Sequence, residues 1–180
     1  MTGRAKYVLF AAVTAASLVV DQLTKVWARS SLKPIAPAVK SVIPGFWEFK
    51  YSENTGSAFG MFRNLPGGRY ILVAVGVVAL IFIISYLRKP DSDRPIIAVA
   101  LALISGGAVG NIFDRAAFGR VTDFILWHYH QTEWPVFNFA DASLVAGVLA
   151  LLLFAPRKQK DREGQKEAGS GSRGRRARSA

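Results

Sequence analysis

Four apolar stretches without a charged side chain constrain this chain more than any other feature of its 180 residues. Two of them, residues 70–87 and 95–113, contain 18 and 19 residues, close to the roughly 20 that a helix needs to cross a bilayer. The other two, residues 7–20 and 142–155, contain 14 residues each and reach spanning length only together with neighbouring polar residues. Two near-spanning segments are hard to bury in so small a soluble domain. We therefore predict a mainly α membrane protein with four transmembrane helices, at about residues 7–27, 69–88, 95–115 and 138–156.

The connection after the first helix has the pattern of a strand. Trp47, Phe49 and Tyr51 alternate with polar residues, which is typical of a half-buried strand. We expect a small extracytoplasmic β-sheet at about residues 40–62, lying on the membrane surface. The aromatic residues 124–130 are predicted to form a short interfacial helix or loop.

The positions of the basic residues predict the orientation in the membrane. Lysine and arginine near helix ends mark the cytoplasmic side. Arg4 and Lys6 precede the first helix, and the second and third helices are joined by residues 88–94, which include three basic residues. Both termini are therefore predicted to be cytoplasmic, although the first outer connection also contains lysines, such as Lys40.

The C-terminal segment is basic and polar. Residues 157–180 contain nine Lys or Arg against three acidic residues, a net charge of +6, and little apolar surface, so we expect a disordered basic cytoplasmic tail. Such a tail could bind nucleic acid. Next to a membrane helix the anionic cytoplasmic leaflet is the simpler partner, and we predict membrane lipids and no nucleic acid.

Four aspartates are predicted to lie in one layer near the outer side of the membrane. Asp21 follows Lys6 by 15 residues, or about 22 Å along a helix, which places it near the outer end of the first helix. Asp114 ends the third helix, Asp141 begins the fourth, and Asp123 lies in the connection between them. Carboxylates at the edge of hydrocarbon are costly unless they are paired or solvated, so they are functional candidates.

Other nucleophiles and metal sites have weaker support. The chain has no cysteine, which excludes thiolate chemistry and disulfides. Ser57 and Ser105 lie beside glycines, where serines are usually structural, although Lys25 could partner one of them. His128 and His130 are the only histidines, and no third ligand or His-Glu-x-x-His pattern accompanies them, so no metal is expected.

The aspartates also have possible structural roles. Asp114 could pair with Arg115, Asp21 could pair with Lys25 at the i,i+4 spacing, and Asp141 could cap the fourth helix.

These roles leave Asp123 without an obvious partner. They also do not explain why Asn54, Asn111 and Asn138 fall in the same layer, where amides could hold a peptide backbone or orient a carboxylate. A proton-coupled transporter is the leading alternative to a peptidase, since acids in membrane helices also serve as proton relays. A transporter predicts acids at the middle of the membrane and access from both sides.

Five sequence blocks, in order and spacing, resemble the lipoprotein signal peptidases (signal peptidase II). The resemblance covers roughly residues 6–156. The blocks are Asp21-Gln22-Leu23-Thr24-Lys25, Asn54-Thr55-Gly56-Ser57-Ala58-Phe59, Gly106-Gly107-Ala108-x-Gly110-Asn111-x-x-Asp114-Arg115, Val121-x-Asp123-Phe124 and Phe137-Asn138-x-Ala140-Asp141. The resemblance implies a four-helix aspartyl peptidase of the bacterial inner membrane, without a cofactor, that removes signal peptides from prolipoproteins just before a lipid-modified cysteine.

The resemblance also implies roles for individual residues. Asp123 and Asp141 match the catalytic pair, and which of them is the base stays open. The polar residues around the pair are matched by Asp21, Lys25, Asn54, Gly56, Asn111, Asp114, Arg115 and Asn138. One departure from the family pattern is Trp134 before Pro135, which is expected to affect only local packing.

Overall fold

The computed structural model describes residues 1, 3–56, 65–130 and 132–155. These residues form four α-helices and four β-strands, with two short 3₁₀ helices at Lys33–Ile35 and Pro90–Asp93. In chain order the main elements are α1 (Gly3–Ser31), β1 (Val39–Ile43), β2 (Trp47–Asn54), α2 (Gly68–Leu87), α3 (Pro95–Phe118), β3 (Val121–Tyr129), β4 (Thr132–Glu133) and α4 (Phe139–Phe154).

Helix α3 is the central helix of the bundle. Of its most apolar 18 residues 61% are buried, against 11% in each of α1 and α2. Small residues allow this close packing: Gly106 lies against Ser17 of α1, and Gly107 lies against the backbone of Ala140 in α4. The outward faces of α1, α2 and α4 are apolar and exposed, as expected of helices that face lipid.

In the part of the chain that the structure describes, three helices are long and apolar enough to cross a membrane, namely α1, α2 and α3. The prediction of a mainly helical membrane protein with a small sheet is thereby confirmed. Helix α4 has 16 residues, or about 24 Å at 1.5 Å per residue, which is shorter than a bilayer core. A fourth span stays a prediction.

The strands form one antiparallel sheet in the order β1-β2-β3-β4. The strand predicted from the alternation around Trp47–Tyr51 is β2. Its last residues pair with the start of β3, with Ser52 opposite Asp123 and Asn54 opposite Val121. The predicted segment at 40–62 is described only as far as residue 56, and the predicted tail at 157–180 lies outside the described residues.

The interfacial helix or loop predicted at residues 124–130 is wrong, because these residues belong mostly to strand β3. The connection that was expected to hold Asp123 is therefore part of the sheet. Residues Val121 to Phe124 are all buried, with Phe124 packed against Ala28 of α1 and against Leu32, which follows α1 directly. A strand that is buried on both faces lacks polar alternation, so its sequence does not display the period of two.

The two ends of the bundle are built differently. At the end where α1 and α3 finish and α4 begins, the sheet packs on α1 through an aromatic cluster that includes Trp27, Phe49 and Phe124. We call this the sheet end. At the opposite end, Lys6 of α1 contacts the connection between α2 and α3, and we call it the Lys6 end.

Candidate active site

All ten residues predicted to form the site lie at the sheet end, on five elements and one turn. They are Asp21 and Lys25 of α1, Asn54 of β2, Gly56 in the following turn, Asn111, Asp114 and Arg115 of α3, Asp123 of β3, the helix-capping Asn138 and Asp141 of α4. Positions far apart in sequence are brought together because helix ends and strand ends meet at this end of the bundle.

Asn138 connects the two aspartates of the predicted catalytic pair. Its side-chain Nδ2 donates to Asp123 Oδ1 at 2.6 Å, and its backbone N–H donates to Asp141 Oδ2 at 3.2 Å. The backbone N–H of Asp141 in turn donates to Asn138 Oδ1 at 3.0 Å, which completes a capping box at the start of α4. The predicted capping role of Asp141 is confirmed, and the same geometry holds its carboxyl group at the site.

Two further amides donate to these carboxyl groups. Asn54 Nδ2 donates to Asp123 Oδ2 at 3.1 Å, and Asn111 Nδ2 donates to Asp141 Oδ1 at 2.8 Å. The orientation of the Asn111 amide is fixed on its other side, because its Oδ1 accepts from Lys25 Nζ at 3.0 Å. Asp123 and Asp141 each thus accept two N–H hydrogen bonds. At Asp123 the two amide bonds act to lower the pKa of the carboxyl group, but burial has the larger effect.

A buried ionic layer lies next to the pair. Lys25 Nζ is 2.9 Å from Asp21 Oδ2 and 3.5 Å from Asp114 Oδ2, and all three side chains are 0% exposed. Arg29 Nη1 lies 3.7 Å from Asp114 Oδ1. The Asp21–Lys25 pair predicted from the i,i+4 spacing is therefore confirmed, and it belongs to a larger network.

The predicted pairing of Asp114 with Arg115 is wrong. Adjacent residues on a helix point in directions about 100° apart, so the two side chains diverge. Asp114 accepts from the backbone N–H of Thr122 at 3.0 Å, whereas Arg115 donates to the carbonyl oxygen of Gly56 at 3.0 Å. Arg115 thereby ties the turn after β2 to α3.

Sequence reasoning missed Arg29 and Thr122 as members of this network. Arg29 Nη1 donates to Thr122 Oγ1 at 3.0 Å in addition to its contact with Asp114. The signal for Arg29 was in the sequence, because it follows Lys25 by four residues and so lies on the same face of α1. Thr122 carried no such signal, since its role depends on the pairing of β3.

A cavity of about 560 Å³ opens beside the two aspartates. Its polar wall is made by five of the predicted residues, which are Asn54, Asn111, Arg115, Asp123 and Asp141. Its apolar wall includes Val145 and Leu149 of α4, together with Trp127 and Trp134. Trp134, which was expected to affect only local packing, therefore lines the cavity.

The environment of Asp123 favours its protonated form. The side chain is on strand β3 and only 2% exposed. Burial, followed by the nearby Asp141 carboxylate, raises the pKa of Asp123 to about 7, against an ordinary value of 3.8. A protonated carboxyl group beside an ionised one can polarise a carbonyl group and activate a water molecule.

Of the two serines weighed as alternative nucleophiles, only Ser105 is among the described residues. Ser105 is buried in α3 and does not line the cavity. Ser57 lies outside the described residues.

Comparison with known proteins gives consistent matches. The family profile for signal peptidase (SPase) II matches residues 13–156. A lipoprotein signal peptidase of Symbiobacterium thermophilum is 45% identical over 137 residues, which is 76% of this chain and 87% of that protein. One from Geobacter metallireducens is 39% identical over 147 residues, 82% of this chain and 90% of that protein.

The fold is also similar to solved structures. A bacterial membrane enzyme determined by the in meso method at 1.9 Å resolution superposes with a TM-score of 0.71 and is 28% identical. The match covers 84% of this chain and 93% of that one.

Proposed function

The chain belongs to the signal peptidase II family of membrane peptidases, and we propose that it removes the signal peptide from diacylglyceryl-modified prolipoproteins. The bond cut is the one just before the lipidated cysteine. The observation that carries the proposal is the pair Asp123 and Asp141, bridged by Asn138 and open to a cavity with an apolar wall. The lipoprotein signal peptidase of Symbiobacterium thermophilum, with 45% identity, supports the choice of substrate.

The proposed mechanism is aspartic. Asp141 is the ionised base and Asp123 the protonated acid, because Asp123 is the carboxyl group whose pKa is raised to about 7. Asp141 removes a proton from a water molecule as the water oxygen attacks the carbonyl carbon before the cysteine. Asp123 gives its proton to the carbonyl oxygen, forming a tetrahedral intermediate with two hydroxyl groups. When that intermediate collapses, the proton held by Asp141 passes to the cysteine nitrogen, the C–N bond breaks, and one hydroxyl proton returns to Asp123.

The charges of the site support a single retained proton. Four aspartates lie in the site, and three cations lie close to them. The cations are Lys25, Arg29 and Arg115. If all four carboxyl groups were ionised, the site would have a net charge of −1. One proton on the pair makes it neutral, which is the cheaper state in a site of low dielectric constant.

The proposed orientation places the site near the outer face of the inner membrane. Both termini are cytoplasmic, and α4 forms a fourth, short span. A reporter fused at Ala38, in the connection before β1, should then report the side opposite to a reporter fused at the C-terminus. Reports from the same side would contradict this orientation.

We do not propose the transporter alternative. The polar side chains that line the cavity, such as Asn111 and Asp141, all lie at the sheet end. Further along α1, the described contacts with α3 and α4 are made by hydroxyl groups, as between Ser17 and Ser143 at 3.2 Å. A proton relay through the bundle would need titratable groups at that depth.

The test is cleavage of a defined substrate by the purified full chain. A synthetic prolipoprotein peptide with an S-diacylglyceryl cysteine is incubated in detergent, and mass spectrometry identifies the products. We expect one new N-terminus, at the lipidated cysteine. An intact substrate, or a cut elsewhere, would overturn the proposed function.

A further inference from the structure

Two tryptophans form one side of the cavity and have no part in the chemistry at the aspartates. Trp127 lies on β3, and Trp134 follows β4 directly. The backbone N–H of Trp134 donates to the carbonyl oxygen of Trp127 at 2.8 Å, so the two residues are held next to each other. We call this pair the tryptophan rim.

The two rings of the rim differ in how they are held. Trp127 stacks on Phe46, with ring centres 6.2 Å apart, and meets Phe137 edge-on at 4.9 Å. Trp134 is 64% exposed although it lines the cavity. Trp127 therefore supports the rim, and Trp134 offers an open aromatic face to a bound molecule.

The rim lies within reach of a group attached to the cysteine at the cutting point. Trp127 follows Asp123 by four residues on the same strand, or about 13 Å at 3.3 Å per residue. Both residues line the same cavity. On a lipidated cysteine, the glycerol and its ester groups lie a few bonds from the peptide bond that is cut.

The chemistry of indole fits that part of the substrate. Tryptophan has an apolar body and one polar N–H, and it collects at membrane interfaces, where headgroups meet hydrocarbon. The glycerol esters of a diacylglyceryl group occupy this same boundary. Acyl chains beyond them would continue along Val145 and Leu149, which line the cavity and belong to the exposed apolar face of α4.

We propose that Trp134, supported by Trp127, binds the glycerol-ester part of the substrate's diacylglyceryl group and so selects this modification over a simple alkyl chain. This assignment rests on the proposed function and concerns the same cavity. The competing occupant is the mature polypeptide after the cysteine. That polypeptide must leave towards water, whereas the cavity that the rim lines also includes Val145 and Leu149 of the exposed apolar face of α4.

The experiment compares two competitors of the cleavage reaction. Both are N-acetyl-cysteine amides, one with an S-diacylglyceryl group and one with an S-hexadecyl group that lacks glycerol and esters. Their inhibition constants are measured for the full chain and for Trp134→Ala. The matched control is Tyr129→Ala, which removes an exposed aromatic residue of the same hairpin that does not line the cavity.

We expect Trp134→Ala to raise the inhibition constant of the diacylglyceryl compound by about tenfold and that of the hexadecyl compound by less than about twofold. Tyr129→Ala should change neither. An equal loss for both compounds, or no loss for either, would overturn the assignment.

A second measurement tests whether the tryptophan rim binds the glycerol-ester group or the mature polypeptide. Cleavage of prolipoproteins with long and short mature segments is compared in Trp134→Ala, and a loss of kcat/KM confined to the long substrates would assign the rim to the mature chain instead. Cleavage of diacylglyceryl substrate by the unaltered chain is the internal reference. If that reference fails, the proposed function is wrong; if it holds and Trp134→Ala has no selective effect, only the tryptophan rim is wrong.

Discussion

Helix α1 is held by a lysine–aspartate contact near each end, and the two contacts differ in their access to water. At the Lys6 end, Lys6 Nζ lies 2.7 Å from Asp93 Oδ1, and the Asp93 side chain is 45% exposed. At the sheet end, Lys25 Nζ lies 2.9 Å from Asp21 Oδ2, and both side chains are fully buried. Similar distances therefore occur in very different surroundings.

The difference in burial between the two ion pairs indicates that the sheet end has a role beyond joining helices. At the Lys6 end, an ion pair with one half-exposed partner, Asp93, is enough to join α1 to the connection between α2 and α3. Burying Lys25 with Asp21 and Asp114 costs more, because each ion loses its hydration and the mutual attraction only offsets that loss when the geometry is good. Such a buried ionic network contributes little to stability by itself. It contacts Asp141 through the Asn111 side chain, which indicates that it helps to position the proposed catalytic pair.

The largest expected effect is on catalysis at the sheet end. Asp123→Asn and Asp141→Asn should each lower the single-turnover cleavage rate by at least about 10³-fold, because an amide can neither take up nor release the catalytic proton. Losses in the double variant should not add, since the two residues act as a unit. Asp91→Asn, an exposed aspartate at the Lys6 end, is the matched control.

Both variants should still fold and bind substrate. Thermal unfolding in detergent and binding of the diacylglyceryl peptide measure these properties. An Asp123→Asn protein that still cleaves would remove Asp123 from the pair and return Asp114 as the candidate partner of Asp141.

The next effect is on stability, at Asp114. Asp114→Asn removes the charge that faces Lys25 and Arg29. The buried Lys25 then retains only Asp21 as an anionic partner, and Arg29 loses its contact with the Asp114 carboxylate. We expect a loss of about 3 kcal/mol in the free energy of unfolding, with a measurable residual cleavage rate. A fully stable but inactive Asp114→Asn protein would show that Asp114 takes part in the chemistry.

Cleavage should depend on pH through the proton on Asp123. Because the pKa of Asp123 is raised to about 7, the protonated acid is present below that pH and is lost above it. The value of kcat/KM should fall by about tenfold per pH unit on the alkaline side. Asp93→Asn, at the Lys6 end, should leave the inflection in place. An alkaline inflection far from pH 7 would assign the pH dependence to a group other than Asp123.

The same proton links stability to pH. The pKa of Asp123 is higher in the folded chain than its ordinary value of 3.8, so the folded protein retains a proton that the unfolded chain releases. The stability that is present below about pH 4 is therefore lost progressively as the pH rises to about 7. Thermal unfolding of Asp123→Asn over this range should show a weaker pH dependence than that of the unaltered chain.

The comparison also shows what the sequence could predict. The charge-free stretches predicted the apolar helices, and the alternation at Trp47–Tyr51 predicted a strand, because each depends on local periodicity. The partners of Asp114 and the strand around Asp123 could not be found in this way. Lys25 and Arg29 meet Asp114 only when α1 packs on α3. The first four residues of β3 are buried only in the folded chain, where Phe124 packs against Ala28 of α1.

The smallest expected effect is at Asp93, and it sharpens the contrast between the two ends. Asp93→Asn makes the same chemical change as Asp114→Asn, but Lys6 Nζ retains Ser92 Oγ at 3.0 Å and the carbonyl oxygen of Lys89 at 3.4 Å. The Lys6 side chain is only 5% exposed, but the Asp93 side chain is 45% exposed, so water can take the place of the Asp93 charge and we expect a loss of about 1 kcal/mol. We expect a small drop in thermal stability and an unchanged cleavage rate. A loss of stability as large as that of Asp114→Asn would mean that solvent access does not explain the difference between the two ion pairs. The proposal that the buried network positions the catalytic pair would then lose its support.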